Sequence, residues 1–309
     1  MRFSLPPLRR LLLILLGFSL VGFNLAGCAF SGASGADPGA SAPVTSIQNK
    51  GSDTMVNLAL AWAEAYQVVN PRVSVSVTGG GSGTGITALA NNTVDIANAS
   101  RAIKAEEIAA MQKTGIDPLE FTVARDAIAV IVNLANPVQR LTLPQISAIY
   151  SGAITNWSQV GGEDRPIVRL SRETNSGTHV YFLEEVLRLG NSDNKTFFSA
   201  DTLLLPSSEG ITAEVRDNPN AIGYDGLGYV VPEVKVLGVA RETGGEYFFP
   251  SVATVNDLSY PIARDLYMYT AGAPSAVEQA YLDWIFSPSA QDIVAELGFV
   301  PVTAPLSGQ

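Results

Sequence analysis

The stretch VSVSVTGGGSGTGI, residues 73–86, is the most informative part of the sequence for the fold. Residues 73–78 alternate apolar and polar side chains, which is typical of a β-strand with one buried face, and a helix is predicted through residues 86–90. Residues 79–85 between them include five glycines in seven positions, more than a turn requires. Glycine lets a backbone approach a ligand closely and direct successive N–H groups at it, and a helix start adds partial positive charge. The loop therefore predicts an anion-binding cradle, with a flexible turn as the alternative.

Two common phosphate-binding motifs do not fit this loop. A P-loop requires Gly-Lys-Ser/Thr, and residues 79–86 contain no lysine. A dinucleotide-binding G-x-G-x-x-G requires a third glycine. Thr84 occupies that position when the count starts at Gly79, and Ile86 occupies it when the count starts at Gly81. An anion cradle without a lysine remains.

Strand and helix signals alternate on both sides of this loop. The predicted strands include 127–133, 167–170, 221–224 and 234–239, and the predicted helices include 55–69, 104–113, 144–150, 178–189, 209–216, 275–286 and 289–297. This alternation predicts an α/β fold with mostly parallel sheets. An ordered chain of roughly 260 residues favours two such domains.

A second polar loop precedes the predicted helix at 55–69. Its side chains Ser52, Asp53 and Thr54 could bind a ligand, and helix capping alone is the alternative.

A third polar loop, RETNSGT at 172–178, follows the predicted strand at 167–170. Arg172 provides a permanently charged planar fork that suits an oxyanion. Ser176 and Thr178 provide hydroxyl groups, and the helix that follows provides backbone N–H groups. Together these donors would complete an oxyanion shell.

Ser100 and Arg101 end a further predicted strand, before the helix at 104–113. A surface helix cap would explain this pair if it stood alone. Beside the other loops, the pair is predicted to form a wall of the same site.

The N-terminal residues have the pattern of a bacterial lipoprotein signal peptide. Arg2, Arg9 and Arg10 supply positive charge, and residues 11–23 form an uncharged apolar run. This run is shorter than the roughly 20 residues of a transmembrane helix. Leu-Ala-Gly then precedes Cys28, as in a lipobox. We expect cleavage before Cys28, lipid attachment to it and a location outside the cytoplasmic membrane, in the periplasm or at the cell surface; an uncleaved anchor is the alternative.

Removal of the predicted signal peptide, residues 1–27, changes the formal net charge from −10 to −13, because three arginines leave with it. Residues 28–45 are rich in Ser, Gly, Ala and Pro and are predicted to form a flexible tether.

Composition excludes several classes of protein. The chain is 47% hydrophobic and 16% charged, which excludes disorder for its bulk. Its acid excess argues against a general nucleic-acid binder, which would need a basic face. A single cysteine excludes an intramolecular disulfide, and one cysteine with one histidine excludes zinc-finger and zincin sites. We predict no metal and no cofactor.

The chain resembles the phosphate-binding proteins of phosphate-specific ABC transporters, which have the type 2 periplasmic-binding-protein fold. The stretch IYSGAITNW (149–157) is the most specific to that family. The matching stretches occur in the family's order: GSDTM (51–55), GGGSGTGI (79–86), VDIANASR (94–101), LTLPQISAIYSGAITNWSQVGG (141–162), RETNSGT (172–178) and AIGY (221–224).

The resemblance implies two α/β lobes joined by a two-stranded hinge, with phosphate clamped by loops from both lobes. Lobe I would comprise residues 46–133 and 253–309, and lobe II residues 134–252. The resemblance also implies a monomer that captures inorganic phosphate, without catalytic residues, and delivers it to an ABC transporter permease in the cytoplasmic membrane.

The same resemblance assigns phosphate contacts to residues in all three loops. By position, Ser52 and Thr54 correspond to the donors of the family's first loop, and Ser82 corresponds to the serine of the glycine loop. The family's Arg and SGT loop corresponds to Arg172, Ser176, Gly177 and Thr178.

Some positions depart from the family's pattern. Some members have Asp where this chain has Arg101, and a second Asp where it has Thr174; other members have Ser-Arg, as at Ser100 and Arg101 here. A carboxylate can accept a hydrogen bond from a protonated phosphate and thereby reject sulfate, and Asp53 is our candidate for that acceptor. His179 stands where many relatives have Arg and is predicted to be peripheral.

Three alternative functions remain open. The same fold could bind another tetrahedral oxyanion (sulfate, molybdate or tungstate), or it could act as a phosphate sensor or surface protein without a transporter. An enzyme is the third alternative, because Ser176 and His179 are three residues apart and could suggest a nucleophile and a base. However, the sequence has no G-x-S-x-G motif and no acid obviously placed to orient the histidine.

Overall fold

A computed structural model of the protein describes residues 44–302, so the predicted signal peptide, the lipidation site Cys28 and nearly all of the predicted tether lie outside the described residues. The strands are β1 (Thr45–Gly51), β2 (Val73–Thr78), β3 (Ile96–Ala99), β4 (Leu119–Asn133), β5 (Arg140–Thr142), β6 (Val168–Arg172), β7 (Leu203–Leu205), β8 (Ala221–Gly226), β9 (Val234–Val236), β10 (Gly238–Ala240) and β11 (Ala263–Thr270).

The α-helices alternate with these strands. They are α1 (Val56–Val69), α2 (Ser82–Ala90), α3 (Ala105–Gln112), α4 (Leu143–Tyr150), α5 (Gly177–Tyr181), α6 (Ser208–Asp217), α7 (Val252–Asn256), α8 (Ala276–Ile285) and α9 (Pro288–Glu296). The helix predicted at 178–189 is divided, because a π-helical turn, Phe182–Leu187, follows α5.

Two sheet halves share the long strand β4. In the first half the strand order is β2-β1-β3-β11-β4, with β1 parallel to both β2 and β3. In the second half, β8 pairs with β4, β6 lies parallel to β8, and β7 lies parallel to β6. This architecture confirms the two-lobed α/β fold.

The centre of the sheet is antiparallel, which the sequence did not predict. β11 runs antiparallel to β3 and to β4, and β8 runs antiparallel to β4. The physical reason is that the chain crosses from the first lobe to the second along β4 and returns in the opposite direction into β11. The backbone N–H of Ile128 donates to the carbonyl of Ile262 at 2.8 Å at this crossing. β4 and the segment entering β11 therefore form the two-stranded hinge.

Each lobe has its own hydrophobic core. In the first lobe, α1 packs through Trp62, whose side chain is fully buried and whose Nε1 donates to the carbonyl of Ala290 at 2.9 Å. In the second lobe, the rings of Phe182 and Tyr224 stack with centroids 3.6 Å apart. Tyr260 packs in this second core as well, although it follows residue 252. Such packing fixes the strand ends from which the loops of the site begin.

The helices within residues 44–302 do not include one that is both long enough and apolar enough to cross a membrane.

Candidate functional site

The loop from Ser52 to Thr54 begins where β1 ends and turns once as a 3₁₀ helix before α1. Both residues are buried, and the backbone N–H of Ser52 donates to the carbonyl of Asn98 at the end of β3, at 2.8 Å. Among the described residues, no side chain of this loop makes a capping hydrogen bond to the helix. The capping alternative is therefore wrong: Asp53 and Thr54 bond to lobe II instead, and Ser52 Oγ has no partner among the described residues.

The glycine loop leads directly into α2, which begins at Ser82, four residues earlier than predicted. The first turn of α2 contains glycines, which have low helix propensity, so the sequence did not indicate that the helix begins there. Gly80 and Gly81 have φ values of 121° and 92°, which non-glycine residues rarely adopt. A Cβ on Gly81 would lie 2.8 Å from the carbonyl oxygen of Asn175 in the third loop. The glycines thus permit close approach of another loop of the protein.

Ser82, Ser100 and Gly177 meet where the two lobes touch. The backbone N–H of Ser100 donates to Ser82 Oγ at 3.0 Å, and the two hydroxyl oxygens are 3.3 Å apart. A Cβ on Gly177 would lie 2.3 Å from Ser82 Oγ and 2.6 Å from Ser100 Oγ. The two serines come from lobe I, whereas Gly177 begins α5 of the second lobe, so three predicted site residues converge here.

Thr178 and Asn175 also connect the third loop to lobe I. The hydroxyl oxygens of Thr178 and Thr54 are 2.8 Å apart in a buried hydrogen bond. Asn175 Nδ2 donates to the carbonyl of Gly80 at 2.9 Å, and the Asn175 carbonyl accepts from the N–H of Gly83 at 3.1 Å. These bonds join the lobes directly. Sequence reasoning did not single out Asn175, although it lies inside the predicted RETNSGT loop.

Ser176 has a local role in this loop. Its hydroxyl accepts from the backbone N–H of Thr178 at 3.2 Å and caps the start of α5. Ser176 is 3% exposed and lies beside Gly177, in the same buried region.

Arg172 ends β6 and is 1% exposed. Its Nη2 donates to Asp53 Oδ2 at 3.0 Å and to the carbonyl of Pro206 at 2.7 Å, and its Nη1 donates to Ser208 Oγ at 2.8 Å. Asp53 Oδ2 also accepts from the N–H of Ser208 at 3.0 Å. The guanidinium is thus held between Asp53 of lobe I and the start of α6 in lobe II.

Arg101 is paired with Glu107 of α3. Its Nη1 and Nη2 donate to the two carboxylate oxygens of Glu107 at 2.8 and 2.7 Å. Burial alone would raise the pKa of Glu107, but the hydrogen bonds from Arg101 and the N–H of Lys104 hold that pKa below its ordinary value. The carboxylate is therefore ionised, and it fixes the Arg101 fork in a bidentate pair.

A second buried ion pair lies behind Thr54, and sequence reasoning missed it. Arg264 donates through Nη2 to Asp126 Oδ2 at 2.8 Å and through Nη1 to the carbonyl of Ser100 at 3.0 Å. Burial raises the pKa of Asp126, and the charge of Arg264 opposes that shift. Neither residue lies in a polar or glycine-rich loop, so no local signal could have found them.

Ser208 and Asp225 form another group that sequence reasoning missed. Ser208 Oγ donates to Asp225 Oδ1 at 2.9 Å, and both side chains are fully buried. Tyr229 also contacts the site, because its hydroxyl donates to the carbonyl of Asp53 at 2.9 Å. Asp225 directly follows the AIGY stretch at a strand end, and that position could have indicated it.

His179 does not pair with Ser176. Its Nδ1 lies 3.0 Å from Ser171 Oγ, and its ring stacks on Phe198 at 4.6 Å. Burial lowers the pKa of His179, so the ring is neutral near pH 7. The side chain is 7% exposed. It is part of the core of lobe II, and the nucleophile–base pair of the enzyme alternative is not formed in the described residues.

Three predicted site residues have buried donors that are not used within the protein. Ser52 Oγ, Arg101 Nε and Arg172 Nε have no hydrogen-bond partner among residues 44–302. A guanidinium has five N–H donors, and the bonds of Arg172 to Asp53, Ser208 and Pro206 use three of them. Buried donors that are unpaired cost free energy. Each of these donors could bond to an acceptor oxygen of a bound anion.

Comparisons with known proteins agree with this geometry. A family model described as a PBP superfamily domain matches residues 36–289. The phosphate-binding protein PstS of Pseudomonas aeruginosa is 31% identical to this chain over 278 residues, covering 84% of this chain and 84% of that protein.

Solved structures give the same result. A phosphate ABC transporter substrate-binding protein from Clostridium perfringens, with bound phosphate, has a TM-score of 0.74 at 33% identity and covers 84% of this chain and 100% of that chain. An ABC-type phosphate transport receptor from Vibrio cholerae has a TM-score of 0.66 at 30% identity and covers 83% of this chain and 100% of that chain. These matches confirm the resemblance seen in the sequence: the chain belongs to the PBP superfamily and, within it, to the PstS family of phosphate-binding proteins.

Proposed function

We propose that this protein captures inorganic phosphate between its two lobes and delivers it to the permease of an ABC transporter. The single observation that carries the proposal is the convergence of buried donors from both lobes, with Ser52 Oγ, Arg101 Nε and Arg172 Nε left unpaired within the described chain. Family membership supports phosphate as the anion, because relatives that share this fold and over 30% of the sequence are named for phosphate.

No chemical step is needed for this function. Affinity would come from many aligned donors in a site from which water is excluded, and release would come from separation of the lobes at the hinge. We infer that the protein is not an enzyme, since His179 is held by Ser171 and packs in the core instead of facing Ser176.

The phosphate-binding set that we propose unites the loops of both lobes. It comprises Ser52, Asp53, Thr54, Ser82, Ser100, Arg101, Arg172, Ser176, Gly177 and Thr178. We further propose that Cys28 carries a lipid anchor outside the cytoplasmic membrane and that the protein acts as a monomer.

The two lobes would move as separate bodies about the hinge. Lobe II would include residues 134–252, as the sequence predicts. The pairing of β4 with β8 from Ile128 to Val132, and the packing of Tyr260 in the second core, support an extension of lobe II at both boundaries.

Asp53 remains our candidate for the acceptor of a phosphate proton. Its Oδ2 accepts from Arg172 and from the N–H of Ser208, so the carboxylate is fixed beside the proposed phosphate-binding Arg172. Replacement of Asp53 by Asn should reduce the preference for phosphate over sulfate. If the Asp53→Asn variant keeps the wild-type preference, Asp53 is not the acceptor.

Isothermal titration of the purified full-length protein in detergent tests the proposal. We expect tight binding of phosphate and no heat from sulfate. Binding of molybdate alone would assign the protein to another oxyanion, and equal binding of phosphate and sulfate would contradict the role of Asp53. Phosphate recovered unchanged after denaturation, and no hydrolysis of a phosphoester, would agree with a binder; hydrolysis would contradict it.

Arg172→Ala should lower phosphate affinity by about 30-fold or more, because truncation of a buried charged partner costs roughly 2–5 kcal/mol. Arg125→Ala is the matched control, since Arg125 is an exposed arginine paired with Asp265 on the surface. Circular dichroism checks that both variants are folded. Wild-type affinity in a folded Arg172→Ala variant would remove Arg172 from the site.

A further inference from the structure

A chain of hydrogen bonds runs from Asp225 to the guanidinium of Arg172. Ser208 Oγ donates its single hydrogen to Asp225 Oδ1 at 2.9 Å and accepts from Arg172 Nη1 at 2.8 Å. A hydroxyl has one donor and two acceptor lone pairs, so the direction of its hydrogen decides where its lone pairs point. Asp225 therefore sets the orientation in which Ser208 receives the guanidinium.

The two oxygens of the Asp225 carboxyl have different surroundings. Oδ1 accepts from Ser208 Oγ and from the backbone N–H of Gly226 at 2.8 Å. Oδ2 is buried and has no partner among the residues that the structure describes. A bare carboxylate oxygen in the interior is costly, whereas a proton on Oδ2 would leave both hydrogen bonds to Oδ1 intact. The Asp225 carboxyl group can therefore be ionised or protonated without a change in the hydrogen bonds to Oδ1.

Charged groups on neighbouring elements act on this carboxyl. Burial raises the pKa of Asp225 to about 7, and the positive charge of Arg172 on β6 opposes the shift. Asp126 on β4 raises the pKa further and is itself paired with Arg264. The other ionisable groups near the chain of bonds include Asp53, which pairs with Arg172, and Tyr229, whose hydroxyl bonds to the Asp53 carbonyl. Tyr224 precedes Asp225 on β8; burial raises the pKa of Tyr224, and the charges of both Arg172 and Asp225 also affect it.

We propose that Asp225 is a positioning residue, which orients Arg172 through Ser208 and couples phosphate capture to the uptake of a proton by its own carboxyl. This inference rests on the proposed function, because it needs a phosphate beside Arg172. A bound phosphate anion offsets the positive charge that favours ionised Asp225, so the complex holds the proton more tightly than the free protein does. The proton comes from solvent and binds Oδ2. By linkage, affinity for a given phosphate species must rise as pH falls through neutrality.

Titration calorimetry in buffers of different ionisation enthalpy measures the protons taken up per phosphate bound. We compare full-length wild type in detergent with Asp225→Asn, which keeps an oxygen acceptor for Ser208 and cannot titrate. Asp217→Asn is the control, because Asp217 is an exposed acid at the end of α6. At neutral pH, wild type and Asp217→Asn should take up more protons than Asp225→Asn, by up to about half a proton. Equal counts in all three proteins would overturn the proposal, since the protons of phosphate itself contribute equally to each.

A second measurement uses the wild type alone, in case the Asp225→Asn variant does not fold. Phosphate added near neutral pH should produce a new infrared band of a protonated carboxyl group. Absence of that band in the wild-type difference spectrum would overturn the proposal. Where Asp225→Asn folds, the band should be missing from its spectrum.

Ser208→Ala tests the path from Asp225 to Arg172. It should weaken phosphate binding by about 2- to 10-fold, the effect of one hydrogen bond, and reduce the difference in proton uptake. A wild type that does not bind phosphate would overturn the proposed function together with this inference. Phosphate binding that is lost in Arg172→Ala, with equal proton uptake in wild type and Asp225→Asn, would overturn this inference alone.

Discussion

Gly177 shows how a single hydrogen atom in place of a methyl group lets the lobes meet. It lies at the start of α5, where its backbone has ordinary helical geometry, so the glycine is not required by its φ angle. It is required by space, because a Cβ would lie 2.3 Å from Ser82 Oγ and 2.6 Å from Ser100 Oγ. The clash would exist only when the lobes are closed.

Gly177→Ala should therefore weaken phosphate binding by about 10-fold or more, in line with the roughly 1–3 kcal/mol cost of overpacking. The melting temperature of the phosphate-free protein should stay near that of wild type, since the hinge lets the lobes separate. Titration calorimetry and thermal melting measure the two effects. Wild-type affinity would show that the serines and Gly177 do not meet in the complex.

At the scale of single residues, the sequence indicates those candidate side chains that lie next to a recognisable local pattern. Arg172 and Ser82 could be named as candidates because each stands at the end of a strand or beside glycines. Arg264 was not found, because it lies within the antiparallel strand β11 and reaches Asp126 only through the tertiary fold. Glu107 was not found either, since its pairing with Arg101 depends on how α3 packs.

At the scale of elements, the third loop (residues 172–178) lies against the glycine loop and is hydrogen-bonded to it. We call this loop the strap. Asn175 contributes twice, through its side chain to the Gly80 carbonyl and through its own carbonyl to the N–H of Gly83. These bonds close the lobes without using any of the proposed phosphate donors. They should therefore slow the opening of the complex.

Asn175→Ala removes the side-chain bond and leaves the backbone bond in place. It should increase the phosphate dissociation rate by about 2- to 10-fold, because one neutral hydrogen bond contributes roughly 0.5–1.5 kcal/mol. Stopped-flow dissociation with a phosphate scavenger measures this rate. Asn191→Ala, at an exposed loop position, is the control and should match wild type. An unchanged rate in Asn175→Ala would mean that the strap does not limit opening.

The elements also show where patterns in sequence stop being informative. The apolar run at 127–133 predicted a buried strand, and β4 does contain it, but β4 starts at Leu119 and spans both lobes. Of the first four residues of β4, 119–122, two are polar and two are exposed, so the apolar–polar alternation of a strand was weak there. The central strands pair antiparallel because the chain returns through the hinge. Local sequence patterns carry no information on this long-range path.

At the scale of the whole molecule, a net charge of −10 does not decide the ligand. The candidate site contains arginines at 101 and 172 and several hydroxyl groups, all acting at short range in a buried junction. Surface acids farther away than a Debye length of about 8 Å are largely screened at physiological salt. The overall charge should affect how fast phosphate arrives, more than how tightly it is held.

The association rate of phosphate should accordingly rise modestly as ionic strength increases, because salt screens repulsion between the acidic protein and the anion. Stopped-flow association over a range of sodium chloride concentrations measures the effect. A rate that falls with salt would mean that a local positive region around the arginines attracts phosphate more strongly than the acidic surface repels it.

The position of a bound anion shows whether phosphate is held by donors from both lobes. Crystals grown with arsenate, a heavier analogue of phosphate, allow the arsenic atom to be located by its anomalous scattering. We predict one site between the lobes, with the arsenate oxygens within hydrogen-bond distance of Ser52 Oγ, Arg101 Nε and Arg172 Nε. An arsenic peak elsewhere on the protein, with these three donors not in contact with it, would contradict the proposed phosphate site.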